Sequence, residues 1–215
     1  MTMAALFGFF ALVMKADQII VGTALNIFAM GFAPFITKIV FNSSGSTPSL
    51  PLEARFTFAP IVMAFTLVAF IHFWLHQTRS GLYVQFAGEA PMALQASGTS
   101  VSLVRWMSLL ACGVCAGFGG ASLSLFLASS YSPQMTAGRG FMALAALIFG
   151  RWKPIPTMIA CLFFAVIDVI QVHLQGVAMG VPLQLIQVLP YIVTIVALAG
   201  FFGHSRAPKS LGRHI

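Results

Sequence analysis

Runs of apolar residues long enough to cross a lipid bilayer dominate this chain and leave it little freedom of fold. A hydrocarbon core about 30 Å thick calls for roughly 20 apolar residues in helical form. Five stretches reach or approach that length: Ile19–Phe41, Phe56–Leu75, Trp106–Leu127, Ile155–Leu174 and Leu185–Phe202. Met1–Met14 and Gly140–Gly150 are equally apolar but too short to cross comfortably alone. Only 7% of the 215 residues are charged and 59% are hydrophobic, whereas a soluble domain uses roughly 25% charged residues. The ten-residue alternation of a barrel strand is absent, so helices must satisfy the backbone in lipid. The expected fold class is all-α: a polytopic transmembrane helical protein of about five long spans plus two short ones, forming one domain over residues 1–215.

The formal net charge is +7, but the basic residues are scattered, which points to orientation in a membrane rather than to nucleic acid. If every apolar stretch crosses, Lys15, Arg79, Arg105, Arg151, Lys153, Arg206, Lys209 and Arg213 share one side. Arg55 and Arg139 then fall on the other, and Lys38 sits near a helix end. This split places the basic tail 203–215 and the segment 77–105 in the cytoplasm, and Asn42–Arg55 outside. In the same reading Arg139 and Arg151 anchor the two ends of Gly140–Gly150 in opposite headgroup layers, or an outside Arg139 meets a polar solute or a delivery protein; if Gly140–Gly150 instead turns back, only Lys15, Arg79 and Arg105 stay on the first side. Met1–Met14 lacks a positive leading region and a cleavage site, so it reads as a transmembrane helix rather than a signal peptide. Cys112-x-x-Cys115 has redox spacing, but Gly113, Ala116, Gly117, Gly119 and Gly120 surround it. Small residues at these intervals let helices approach closely, and packing is the preferred reading.

The segment 77–105 is the part that looks like soluble protein. Pro91 suits a first helical turn, Glu89 the positive N-terminal dipole end, and Gly98 the position just past a C-terminus. Met92, Ala93, Leu94 and Ala96 give the resulting two-turn helix a small apolar surface. So short a helix is marginal alone in water. It either lies against the membrane surface or docks as a knob into a cytoplasmic partner.

Two polar groups lie inside spans. Asp168 sits well within Ile155–Leu174, where a carboxylate costs about 2.5–3.5 kcal/mol on insertion scales. It is either a structural hydrogen-bonding group or part of a solute pathway. Asn26, with Gly22, Gly31 and Pro34, marks a span that is not a smooth rod; such segments line substrate paths or pack closely through glycine. His72 and His76 share a helix face, but no third ligand is near in sequence, so no metal is expected. The phosphate loop, H-E-x-x-H and G-x-S-x-G are all missing, so no catalytic residue is assigned and the chain is not itself an ATPase.

Three stretches carry a family resemblance: "ADQIIVGTALNIFAMG" (Ala16–Gly31), "GLYVQFAGEAPMALQASG" (Gly81–Gly98) and "TAGRGFMALAALIFGRWKP" (Thr136–Pro154). They resemble permease subunits of ATP-binding-cassette importers, in the simple-sugar and nucleoside branch. "FFAVIDVIQVHLQ" and "LPYIVTIVALAG" continue the likeness, and the Gly-Arg-Gly-Phe and Phe-Gly-Arg-Trp elements look more like the nucleoside type. The resemblance implies a coupling helix seated in a cytoplasmic ATPase, with Gly88, Glu89, Pro91 and Ala93 at the matching positions. Where relatives commonly carry Asn and Arg around the proline, this chain has Ala90 and Met92. It further implies a second permease subunit, an extracytoplasmic solute-binding protein, ATP consumed by the partner rather than bound here, and the bacterial inner membrane as the location. Relatives carry additional spans before the element matching Ala16–Gly31, so an N-terminal truncation is expected. Two other readings stay open: a secondary transporter with Asp168 as the ion-coupling group, and a remnant that binds the ATPase but moves nothing.

Overall fold

The computed structural model describes residues 1–43, 45–49, 58–128, 130–177, 188, 192–193, 195–196 and 207–212. Over them the secondary structure is helical, without strands. The elements are α1 (Thr2–Gly8, extended by a π-helical turn Phe9–Val13), α2 (Gln18–Phe41), α3 (Ala59–Gln77), α4 (Arg79–Glu89), α5 (Pro91–Ala96), α6 (Val101–Ser122, extended by a π-helical turn Leu123–Leu127), α7 (Arg139–Phe149) and α8 (Pro154–Val177). Four of these are long and apolar enough to cross a membrane: α2, α3, α6 with its extension, and α8. They correspond to the first four long spans expected. The fifth, Leu185–Phe202, lies largely outside the described residues, as do Arg55, Arg206 and Arg213.

The surface of these helices is what a lipid solvent requires. Ile19 is 77% exposed, Phe58 77% and Val169 68%, and α3 has no buried residue at all. In water such faces would be an aggregation hazard; in a bilayer they are the outer surface, and the backbone is satisfied within each helix.

The helices fall into two packing units, one formed by Met1–Thr66, Phe73–Ala137 and Pro208–Ile215, the other by Leu67–His72 and Gly138–Ala207. In the first, Asp17 caps α2 by accepting from the amides of Ile19 (2.8 Å) and Ile20 (3.2 Å), which suits both the orphan donors and the positive end of the dipole. Asn42 ends α2 in the left-handed conformation. α1 packs on α6 through small residues: a Cβ on Gly8 would come within 2.7 Å of the Trp106 ring, and one on Gly113 would overlap Ala4. Close packing is therefore the role of Gly113, whereas Gly117, Gly119 and Gly120 face open space. Gly81 is the tightest point, since a Cβ there would overlap the Trp74 carbonyl and Leu75 Cα. Only glycine lets α4 fold back so closely on the end of α3, with Gln85 Nε2 donating to Leu75 O at 2.6 Å.

The second unit is built on a helical hairpin. α7 and α8 pack around buried Ala146, Phe164 and Ile167, with Ala145, Phe149 and Ala160 against them. The connection is abrupt: Arg151 and Trp152 both take left-handed backbone angles, φ 51° and 60°, and a Cβ on Gly150 would collide with Thr157.

A candidate coupling segment and a mid-helix ion pair

The residues carried over by resemblance converge on the α4–α5 junction. Thr78 starts α4, its hydroxyl accepting from Gly81 N at 3.1 Å, and the helix runs through Glu89. Ala90, at φ −145° and ψ 68°, breaks it. Pro91 then opens the six-residue α5 with its fixed φ and missing donor. Leu94, 2% exposed, is the anchor: it packs with Ala87, Val101 and Val104, and with Val84 beside them. Burying one leucine contributes about 1.5–3 kcal/mol, which holds a helix too short to stand alone. Ser97 Oγ donates to Leu94 O at 2.7 Å and Gly98 turns the chain out at φ +79°. Met92 lies on the opposite side, 75% exposed.

One expectation is corrected. Glu89 does not sit at the start of the short helix; it is the last residue of α4, so its charge faces the negative end of that helix's dipole. The N-cap of α5 is Ala90, which offers no side-chain cap. Glu89 and Ala93 are exposed while Gly88 and Pro91 are half-buried. The last feature has no local sequence signal. Ser210, from the tail, donates its hydroxyl to Ala87 O (3.0 Å) and Gly88 O (2.6 Å), and its amide to Gly88 O (3.0 Å). It thereby occupies carbonyls at the end of α4 that a helix leaves unpaired.

In the second unit, the Arg139 guanidinium meets the Asp168 carboxylate at 3.3 Å. α7 has eleven residues, about 16 Å at 1.5 Å per residue, roughly half a hydrocarbon core. Asp168 lies on α8 about 21 Å from Pro154, near the middle of that helix. The arginine at the start of α7 is therefore paired with a carboxylate near the mid-length of α8, a partner the sequence reading did not name. Gly138, left-handed at φ 78°, starts α7, preceded by the turns of residues 133–138. Such a half-helix, entered through irregular backbone, is the type of element that forms sites inside membrane proteins. Asn26 is exposed on α2, in the first unit.

No solved structure matches the chain. Among curated proteins it is 30% identical to the guanosine ABC transporter permease protein NupQ of Bacillus subtilis, over 94% of this chain and 70% of the relative. It is 31% identical to the nucleoside ABC transporter permease protein NupC of Lactococcus lactis, over 93% and 69%. It is 26% identical to a putative glucose ABC transporter permease protein of Haloferax volcanii, over 93% and 71%. The model of the family described as branched-chain amino acid transport system / permease component matches residues 1–198. An all-helical chain with four membrane-length helices and a match of that extent belongs to this permease family.

Proposed function

We propose that this permease moves a nucleoside or related sugar-like solute across the bacterial inner membrane, as the membrane-spanning subunit of an ATP-binding-cassette importer. It acts as a single permease domain, pairs with a second permease subunit, receives solute from an extracytoplasmic binding protein and carries its tail in the cytoplasm. The observation that carries the mechanism is α5: Leu94 fixes its inner side to α4 and α6, while Met92 projects outward. A partner ATPase seated on that outer side pushes a helix that cannot slip relative to α6, and α6 is a membrane-length helix. Nucleotide then drives access only by favouring one arrangement of the permease over the other. The nucleoside assignment follows the two relatives at 30% and 31% identity.

Gly88, Glu89, Pro91 and Ala93 form the contact set, and Asn26 and Asp168 are pathway candidates. A photo-crosslinker in place of Met92, in membranes containing the co-expressed ATPase, is expected to capture that ATPase, and uptake of labelled nucleoside is expected to need ATP. Capture of nothing at Met92, together with uptake driven by a proton or sodium gradient, would overturn the reading.

A further inference from the structure

The second half of α8 carries a line of polar side chains on the face that it keeps from lipid. Asp168, Gln171 and Gln175 recur at helical spacing and continue the stripe of Phe164 and Ile167. Phe164 and Ile167 are buried against α7. Beyond them Asp168, Gln171 and Gln175 are all half-buried, whereas Val169, Ile170 and Val172 are exposed. The helix thus shows apolar surface outward and draws its polar groups inward, from mid-length toward its far end.

Those groups are not used up by the protein. Arg139 Nη2 donates to Asp168 Oδ2 at 3.3 Å, and among the described residues no donor reaches Oδ1. Neither Gln171 nor Gln175 makes a side-chain hydrogen bond among the described residues. Side chains placed there only to tie helices together would be bonded across the interface. A polar line inside a membrane helix, sheltered from lipid and left unbonded, is built for a wet path or a polar solute.

The chemistry of the line restricts the solute. An ionised carboxylate only accepts, so its partner must be a donor, and an anionic group is repelled. The glutamine amide offers both a donor and an acceptor, the pairing that suits the edge of a nucleobase. Carboxylates are likewise suited to the hydroxyls of a ribose ring. Gln171 follows Asp168 by about 4.5 Å along the helix axis, so one solute can meet both.

We propose that Asp168 and Gln171 form the point in this permease that recognises a nucleoside, Asp168 Oδ1 accepting from the ribose hydroxyls and the Gln171 amide pairing with the base. Arg139 is a positioning residue that holds the carboxylate through its other oxygen. The inference rests on the nucleoside reading above and adds to it where on the chain the solute is read.

Photolabelling of the full chain in nanodiscs with radioactive azidoadenosine tests the site without a binding protein or an ATPase. The label is expected on α7 or α8. Adenosine is expected to protect at about tenfold lower concentration than dideoxyadenosine, which lacks the vicinal hydroxyl pair, and adenosine monophosphate is expected not to protect. Asp168→Asn is expected to abolish the preference for adenosine. Gln171→Leu leaves the ion pair intact and introduces a side chain that a membrane helix accepts. It is expected to melt no lower than the parent while labelling falls about fivefold. No label, label only outside α7 and α8, equal protection by the two nucleosides, or parental behaviour of both variants would overturn the inference. The importer reading then stands if nucleoside uptake by the assembled transporter still needs ATP, and falls as well if it does not.

Discussion

The guanidinium of Arg139, first residue of α7, lies 3.3 Å from the carboxylate of Asp168, near the middle of α8. Each group alone is unwelcome at that depth, at about 2.5–3.5 kcal/mol on insertion scales, so the pair has to be considered as a unit. Both side chains keep about a third of their surface exposed, 38% and 31%. The expected loss for Arg139→Gln or Asp168→Asn is therefore smaller than for a fully buried charge, about 1–2 kcal/mol. The double variant R139Q/D168N leaves no unpaired charge and is expected to lose less than the sum. A double-mutant cycle on reversible unfolding in bicelles checks this: additivity within about 0.5 kcal/mol would mean that the two groups do not act on one another.

Gly81 and Gly117 make a contrasting pair. A Cβ at Gly81 would run into the backbone of Trp74 and Leu75, which has no flexible end to swing aside. Gly81→Ala is expected to destabilise the chain by about 1–3 kcal/mol, as overpacking does. Gly117 lies inside α6 with open space around it, so Gly117→Ala is expected to be neutral or to stabilise by up to about 1 kcal/mol through helix propensity. Melting temperatures of the two purified variants decide the matter, and the expectation fails if Gly81→Ala melts with the parent.

What could be read from the sequence follows from where the physical constraint is local. Apolar length alone locates α2, α3, α6 and α8, because no soluble surface tolerates such runs, and Pro91 and Gly98 mark the limits of α5 for the same local reasons. The place of Glu89 is not legible beside Pro91, because the helix it belongs to starts ten residues earlier, where Thr78 caps it. Pro91 carries its own start signal, and this masks the continuation of α4 through Glu89. The Arg139–Asp168 pair was hidden by the turn at Gly150–Lys153: a short apolar run does not reveal whether it crosses or folds back along its successor. The Ser210 contact, 122 residues from Gly88, has no local signature at all.

That tail contact has a measurable consequence. Ser210 Oγ occupies two carbonyls at the end of α4. Ser210→Ala removes a hydroxyl whose net contribution is about 0.5–1.5 kcal/mol. The global melting temperature is expected to change little, because the tail is a peripheral element. Amide exchange of residues 208–212 is expected to accelerate by about three- to tenfold. Unchanged exchange there would show that the Ser210 amide bond to Gly88 O and the neighbouring turn hold the tail without the hydroxyl.

The start of α5 is where the segment is weakest by construction. Ala90 occupies the N-cap and offers no acceptor to the amides of the first turn, whereas Asn is among the best residues there. Ala90 has φ −145° and ψ 68°, a negative φ that imposes no left-handed strain on a side chain. Ala90→Asn is therefore expected to stabilise α5 by about 1 kcal/mol. Because α5 is anchored mainly through Leu94, the gain should appear as local protection rather than as a large rise in melting temperature. Hydrogen exchange across residues 92–97 is expected to slow about fivefold, while exchange in α6 stays as it was. If exchange in α5 does not slow, the first turn is already held by its packing, and the missing cap has no bearing on how firmly Met92 is presented.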